Sequence, residues 1–508
     1  MAVLKLGAVV SLLGTIGHPL VAQSARAGRM SLLDRYVEKA RLEWRAPAVA
    51  VAVVVRDSVV FAKGYGVLEQ GKPARADEHT IFAIGSSSKA FTTAALAMLV
   101  DEGKLKWDDR AAERLPGWEL GDPWVTREIT VTDLVTHRVG LDRADRIWGA
   151  TTFDRKDILR RQRYIRPVAS FRSVYGYNNH MFLAAGQVIE NVSGLSWDAF
   201  VKQRIFEPLG MNRATTSVKP LGSMSNVATP HGWGRDGVVP IPWHDIDNIG
   251  PAGSINASAR EMGEWLRLQL GKGRHRGRVL VSEASMRAMH SPQTVIPVER
   301  WFASLSPVNH QMVPGTHFFM YGMGWFLQNY RGRYLVHHGG SIDGMRALVG
   351  MAPEEGIGIV ILTNLNPSSI DEAIMFRFFD LQFGGSSRDW SREMLDSTLA
   401  LRDRALGQER TQEQARITGT QPTLPLGKYA GTYADSAFGE LQIREQSGKL
   451  TIQFGVPTGE LEHWSHDTFR ISWNTPLRDR SLITFRIGSD GAARAAVIGG
   501  VPELVRRP

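Results

Sequence analysis

The sequence predicts an α/β (α+β) fold in two units. The first is an antiparallel sheet built from both ends of a large unit, flanked by helices, with a mainly helical insertion between those ends. The second is a C-terminal all-β, barrel-like domain. Three observations carry this reading. Ala48–Val55 is almost wholly small or β-branched, which marks a strand covered on both faces. Strand character then lapses through a long run of helical patterns and polar loops, and returns at Tyr334–His337, Met345–Met351 and Gly356–Thr363. From Tyr429 onward short alternating stretches recur, at Glu440–Glu445, Lys449–Phe454, Thr468–Trp473, Leu482–Ile487 and Ala492–Ile498, parted by turns such as Ser447-Gly448 and Asp490-Gly491.

Taken in order, the chain starts with Lys5 as a positive n-region, Leu6 to Ile16 as a short apolar h-region, and small residues with Ala22 as a cleavage point. Residues 1–22 therefore read as a secretory signal, and the protein as exported, periplasmic or secreted. Gly14, Gly17 and Pro19 break the apolar run, which falls short of the ~20 residues of a spanning helix, so no stable membrane span is expected. Ser31 to Trp44 reads as an amphipathic helix, with Leu33, Tyr36, Val37 and Ala40 on one face and Ser31 as its cap. A turn at Asp57-Ser58 leads to a second strand through Val60 and Phe61. Ser369 with Glu372 three residues on forms the sequence signature of a capping box. These elements divide the chain into a unit over 31–385, a charged helical linker over 386–424 that ends in polar, Pro-containing Thr418–Leu424, and a β domain over 425–508.

Composition excludes several function classes. There is no Cys among the 508 residues, so disulfides, Cys-ligated zinc, iron–sulfur clusters, a cysteine nucleophile and a lipoprotein-type anchor are all ruled out. The formal charge of +9 is scattered. The densest basic stretch, Arg155 to Arg166, is interrupted by Asp157 and has no stacking aromatics in a groove-binding pattern, so it reads as a solvated helix face and no nucleic-acid partner is expected. His337-His338 has no third ligand at metal spacing, so no metal and no cofactor are expected.

Three local motifs carry chemistry. Ser86-Ser87-Ser88-Lys89 opens a helix that ends at Gly103, which puts Ser86 and Lys89 on one face. A serine hydroxyl needs a base, and an amine made less basic by burial or by other cations can serve. Tyr177-Asn178-Asn179 precedes an apolar helix through Val188 and Ile189. A phenol beside cations can share proton transfer, and a carboxamide can hold a substrate amide. His338-Gly339-Gly340-Ser341 ends a strand, where Gly340 allows substrate to lie close and the Ser341 N–H can join that of Ser86 as an oxyanion donor.

In this order, around a helical insert, the motifs closely resemble those of the serine β-lactamase and penicillin-binding-protein superfamily, in its class C β-lactamase-like branch. Ile129–Leu141 (ITVTDLVTHRVGL), Phe206–Met211 (FEPLGM), Pro251–Leu270 (PAGSINASAREMGEWLRLQL) and Ile357–Asn364 (IGIVILTN) add to the likeness, which spans roughly Ser31 to Gly385. The β domain is similar to the small barrel often appended to such hydrolases. The resemblance implies an acyl-enzyme on Ser86, Lys89 as proton acceptor, Tyr177 as second base, Asn179 orienting a substrate amide, and His338, Gly340 and Ser341 lining the substrate. Two departures stand out. Gly339 replaces the Thr whose hydroxyl grips a substrate carboxylate, and His137-Arg138-Val139-Gly140 stands in place of His-Thr-Ser-Gly. The first favours an esterase or D-amino-acid peptidase acting on a small-molecule or peptide substrate. A β-lactamase or DD-carboxypeptidase is the alternative, and a non-hydrolysing penicillin- or peptide-binding sensor is a third reading. With an imidazole in place of an ammonium, His338 is expected to act as a neutral donor, with activity rising and levelling off as Lys89 and Tyr177 lose protons.

Overall fold

The computed structural model describes residues 17–149, 151–234, 237–297, 316–385, 388–474 and 481–508. Most of the expected signal lies outside them. Its cleavage point, Ala22, falls within a helix that runs from Gly17 to Glu43. The helix therefore starts well before Ser31, which sits in its interior and accepts from Arg35 Nη1 at 2.8 Å rather than capping it.

The fold is the expected α+β one. Eight antiparallel strands form the main sheet in the order Ser58–Gly66, Ala48–Val55, Ile357–Thr363, Met345–Ala352, Arg333–Ile342, Phe326–Tyr330, Phe319–Tyr321, Thr294–Ile296. The greasy strand Ala48–Val55 lies inside it, paired on both edges. Alternation divides its side chains between two cores. Ala48, Ala50, Ala52 and Val54 join the core that includes helices Ser88–Asp101, Asn179–Ser193 and Ala259–Leu270. Val49, Val51 and Val53 join the core under helices Gly17–Glu43, Ile370–Phe383 and the start of Trp390–Gln414. Each fully buried valine contributes roughly 1.5–3 kcal/mol, and it takes both faces to realise that for one strand.

The capping box at Ser369 does not form. Glu372 turns instead to buried Arg346, which also holds Asp371 at 3.0 Å. In this buried first turn the Arg346 guanidinium holds both carboxylates, and Glu372 is not left to complete a box with Ser369.

The C-terminal strands close into an eight-stranded barrel, Gly431–Asp435 through Leu504–Arg506, around Tyr429, Tyr433, Phe469 and Phe485. Three of its strands, Gly431–Asp435, Thr458–Ser465 and Leu504–Arg506, escape the sequence reading. The barrel is docked. Ala437, 2 % exposed, belongs to the core of the large unit, and Phe438 packs against it. Arg161 stacks 3.8 Å over Phe153 and donates to Ser436 O at 2.7 Å. The basic stretch is thus not simply a solvated face. Arg161 fastens the barrel, while Arg155 pairs with Asp198 at 2.6 Å. Among the described residues no helix is long and apolar enough to cross a membrane.

Candidate active site

The short strand Ile81–Ala83 delivers the chain into a tight turn, Gly85–Ser87, that runs straight into helix Ser88–Asp101. Gly85 has φ +50°, and a Cβ there would stand 2.7 Å from Ser341 N. Facing it, a Cβ on Gly340 would fall 1.8 Å from Ile84 O and 3.0 Å from Ser86 N. Only two glycines let the strand Arg333–Ile342 lie this close to the turn. Ser87 Oγ, donating to His338 O at 3.1 Å, ties the two together. The backbone nitrogens of Ser86 and Ser341 are thereby brought to one place, at a helix start where N–H groups lack intrahelical partners.

Lys89 is fully buried, yet Ser86 beside it is partly exposed. Lys89 Nζ lies 3.0 Å from Ser86 Oγ, 2.7 Å from Asn179 Oδ1 and 2.8 Å from Ala252 O. Burial, then the Arg143 cation, holds its ammonium well below the usual lysine range, against the pull of Asp145. A neutral amine has two protons and one lone pair. With two obligate acceptors at Asn179 and Ala252, the lone pair is left for the Ser86 hydroxyl.

Asn179 is placed by its own partners. Its Oδ1 faces Lys89 while its Nδ2 donates to Asp145 Oδ1 at 3.0 Å, and Trp148 Nε1 donates to the same oxygen at 2.8 Å. Asp145 so fixes which way the amide points. Asn179 is reached by the expected route, the start of helix Asn179–Ser193, but its carbonyl serves Lys89. That leaves only its amide side for a substrate.

Tyr177 shares a hydrogen bond with Ser86. Its ring lies 4.8 Å beneath Lys89 Nζ and 5.0 Å beneath the Arg143 guanidinium. Burial pushes its phenol up, more than the Ser86 hydrogen bond and Arg143 pull it down, so it is a neutral phenol near pH 7. His137 holds it from behind. The His137 ring packs on Tyr177 at 4.1 Å. His137 Nδ1 accepts from Asn178 N–H at 3.1 Å and His137 O from Gly176 N–H at 2.8 Å, so both neighbours of Tyr177 are anchored to one residue. His137 itself stands at φ +56°.

His338 is not at the open surface of the site. It is 1 % exposed and lies one layer back. Its Nδ1–H donates to Gly339 O at 2.6 Å and its Nε2 accepts from the Tyr321 hydroxyl at 3.0 Å. Burial pushes its pKa down to about 3, so the imidazole is neutral. Both nitrogens are engaged, and the ring buttresses the site instead of reaching a ligand. Its neighbour His337 packs against Phe319 and against the same Phe326 that His338 touches. Ser341 is exposed at the rim.

Gly85, Ser86, Asn179 and Ser341 form the floor of a cleft of about 2310 Å³. Two of its walls have no counterpart in the motifs. One is the middle of helix Trp390–Gln414, through Leu401 and Arg402. The other is the barrel, through Val456, Pro457 and Trp473. The sequence reading also missed Arg143, Asp145 and His137. His137 stands in a stretch quoted for its likeness, and Arg143-Ala144-Asp145 follows a few residues later, but no spacing rule connects them to Ser86.

A family profile described as Beta-lactamase matches residues 33–379. The chain belongs to the β-lactamase family. A second profile, described as a domain of unknown function (DUF3471), matches residues 415–503 of this β-lactamase-family protein. The chain is 28% identical over 424 residues to an unguisins hydrolase of Aspergillus campestris, covering 79% of this chain and 75% of that one. It is 27% identical to penicillin-binding protein 4 of Amycolatopsis lactamdurans, over 64% and 82% of the two chains. The octameric penicillin-binding protein homologue of Pyrococcus abyssi shares the fold with a TM-score of 0.59 at 21% identity, over 94% of this chain and 100% of that one. Membership in this family of serine hydrolases, with hydrolases and penicillin-binding proteins among the relatives, agrees with the fold and function class read from the motifs.

Proposed function

We propose that this protein hydrolyses an ester or amide by acyl transfer through Ser86. The observation that carries the reading is the Lys89 amine, 3.0 Å from Ser86 Oγ, with its other hydrogen bonds committed to Asn179 and Ala252. Lys89 takes the Ser86 proton as Oγ bonds to the substrate carbonyl carbon. The N–H groups of Ser86 and Ser341 hold the oxyanion. The bond to the leaving group then breaks. Tyr177 gives that group a proton and recovers one from Lys89, since a neutral phenol between the two can relay. Water attacks the acyl-enzyme, its proton passes by the same relay to Lys89, and Lys89 returns that proton to Ser86 Oγ as the acyl bond breaks.

The hydrolase name of the Aspergillus relative supports turnover over mere binding. Loss of the Thr hydroxyl at Gly339, with a neutral, buried His338 behind it, favours an ester or peptide substrate over a β-lactam. Export is part of the proposal, on the strength of Lys5 and the apolar run Leu6–Ile16. A fluorophosphonate probe should label Ser86, and p-nitrophenyl butyrate should be turned over faster than nitrocefin. An adduct elsewhere, or unchanged turnover in Ser86→Ala, disproves the mechanism. N-terminal sequencing of envelope protein checks the loss of about the first 22 residues.

A further inference from the structure

The cleft is too large, and wrongly charged, for the small anionic substrates that a carboxylate grip would serve. Its volume of about 2310 Å³ is more than twice the roughly 1,000 Å³ upper end for sites that enclose a drug-sized molecule. It is large because elements far from Ser86 in the chain line it as well. Two of them present apolar side chains to the open space. Val456 at a barrel turn is 62% exposed, and Leu401 on helix Trp390–Gln414 is 40% exposed. Exposed apolar side chains that face one cleft from two elements mark a surface that awaits apolar ligand.

The charges of the lining point the same way. Seven carboxylates stand against five Lys and Arg. Arg143, Arg155 and Lys219 each face a carboxylate of that same lining. Arg402 donates to Gly234 O at 2.8 Å. Arg146 extends to the barrel turn, where its Nε would lie 3.5 Å from a Cβ on Gly500. Beside the nucleophile, the strand position that could supply a cation holds His338, buried with both nitrogens engaged, followed by Gly339 without a hydroxyl.

From this we infer that the cleft takes an extended, apolar oligomeric acyl donor, such as a peptide or depsipeptide, and cuts an internal ester or amide bond without gripping a free carboxylate next to that bond. This rests on the Ser86 reading and adds the substrate class. Chemically the carbonyl–oxygen or carbonyl–nitrogen bond breaks, the Ser86 acyl bond forms, and water later takes its place.

The test compares three probes on the full chain, each made with L and with D residues on the acyl side. The first is an end-capped octadepsipeptide of Leu, Phe and Ala with one central ester. The second is the capped two-residue ester, and the third is the same two-residue ester with a free carboxylate on the leaving group. We expect kcat/KM for the first to exceed the second at least tenfold, and the third to be no better than the second. Val456→Asp and Leu401→Asp are exposed, so packing is left alone, and each should cut the long-to-short ratio at least fivefold. If fluorophosphonate labels Ser86 but the third probe outruns the first, or none is turned over, or the two variants leave the ratio unchanged, this inference fails alone. If Ser86 is not labelled, the reading beneath it fails as well.

Discussion

The floor and the walls of the cleft are built on opposite principles. On the floor, polar groups are buried and answered one by one: Lys89 by Ser86, Asn179 and Ala252, and Asn179 by Lys89 and Asp145. On the walls, apolar groups such as Val456 and Leu401 are left exposed. A satisfied buried network tolerates almost no change, because each removed partner leaves another unpaired. An exposed apolar wall tolerates change readily and alters only what it touches. Chemistry and selectivity are therefore separable in this molecule, and substitutions can test the separation.

The largest effect is expected at the centre of the floor. Lys89→Met keeps the volume and removes the base, and kcat should fall about 10³- to 10⁴-fold, while near-UV circular dichroism stays native. A fall of less than tenfold would mean that another group takes the Ser86 proton. Next comes Gly340→Ala. Its Cβ would meet Ile84 O at 1.8 Å, so the strand must retreat from the nucleophile turn and carry the Ser341 N–H away. Loss of one oxyanion donor costs about 10²- to 10³-fold in kcat with little change in KM. Full activity in this variant would show that the strand does not supply the donor.

His137 is the third test, since it touches the floor only through Tyr177. His137→Ala removes the ring packed on the phenol and the acceptor for Asn178 N–H. A misplaced relay of about 1 Å can cost 10²-fold. We expect a 10- to 100-fold loss in kcat, near-normal labelling of Ser86 by fluorophosphonate, and partial rescue by His137→Asn, which keeps an acceptor. A purely structural role would instead lower the melting temperature and the labelling together.

The same division explains what was legible in the sequence. The floor is made of short-range motifs at helix and strand ends, so Ser86, Lys89, Tyr177 and Asn179 could be named and the structure brings them together. Strands inside the main sheet could be placed because burial on two faces demands unbroken apolar runs, and Ala48–Val55 has the bounds expected of it. The exposure of His338 was not legible, because a residue's layer depends on the packing of Tyr321 and Phe326 against it. The strand Thr458–Ser465 was missed for a local reason. Its inward set is broken by a bulge between His463 and Ser465, so alternation fails to show. The walls were not legible at all. Val456 and Leu401 come to line one cleft through the docking of Ala437, Phe438 and Arg161, contacts that carry no periodic signature.

The smallest effects come from pH, and they sharpen the contrast between the two units. Activity should rise with pH through the lowered Lys89 pKa and then hold a plateau through about pH 9, because burial keeps the Tyr177 phenol protonated beyond its ordinary range. Stability runs on other groups. In the large unit, burial pushes His290 and His337 down to about 4 and His338 down to about 3. Below the ordinary histidine value of about 6.5 the unfolded chain binds protons that the native one refuses, so stability is fully present above that pH and is lost as pH falls toward 4. Each such group contributes up to about 1.4 kcal/mol per pH unit, these three about 4 kcal/mol per unit, and His137, His180 and His231, also pushed down by burial, add in the same direction. The barrel's histidines, His463 and His466, are half-buried and exposed. Acid should therefore loosen the large unit first. Hydrogen exchange at pH 7 and pH 5 should show protection falling along Ala48–Val55 and Ile357–Thr363 before it falls in Lys449–Phe454, and His338→Gln should make the melting temperature fall less steeply with acid. Uniform loss across both units would show that docking through Ala437 makes them one cooperative body, and the separation argued above would then hold for chemistry but not for folding.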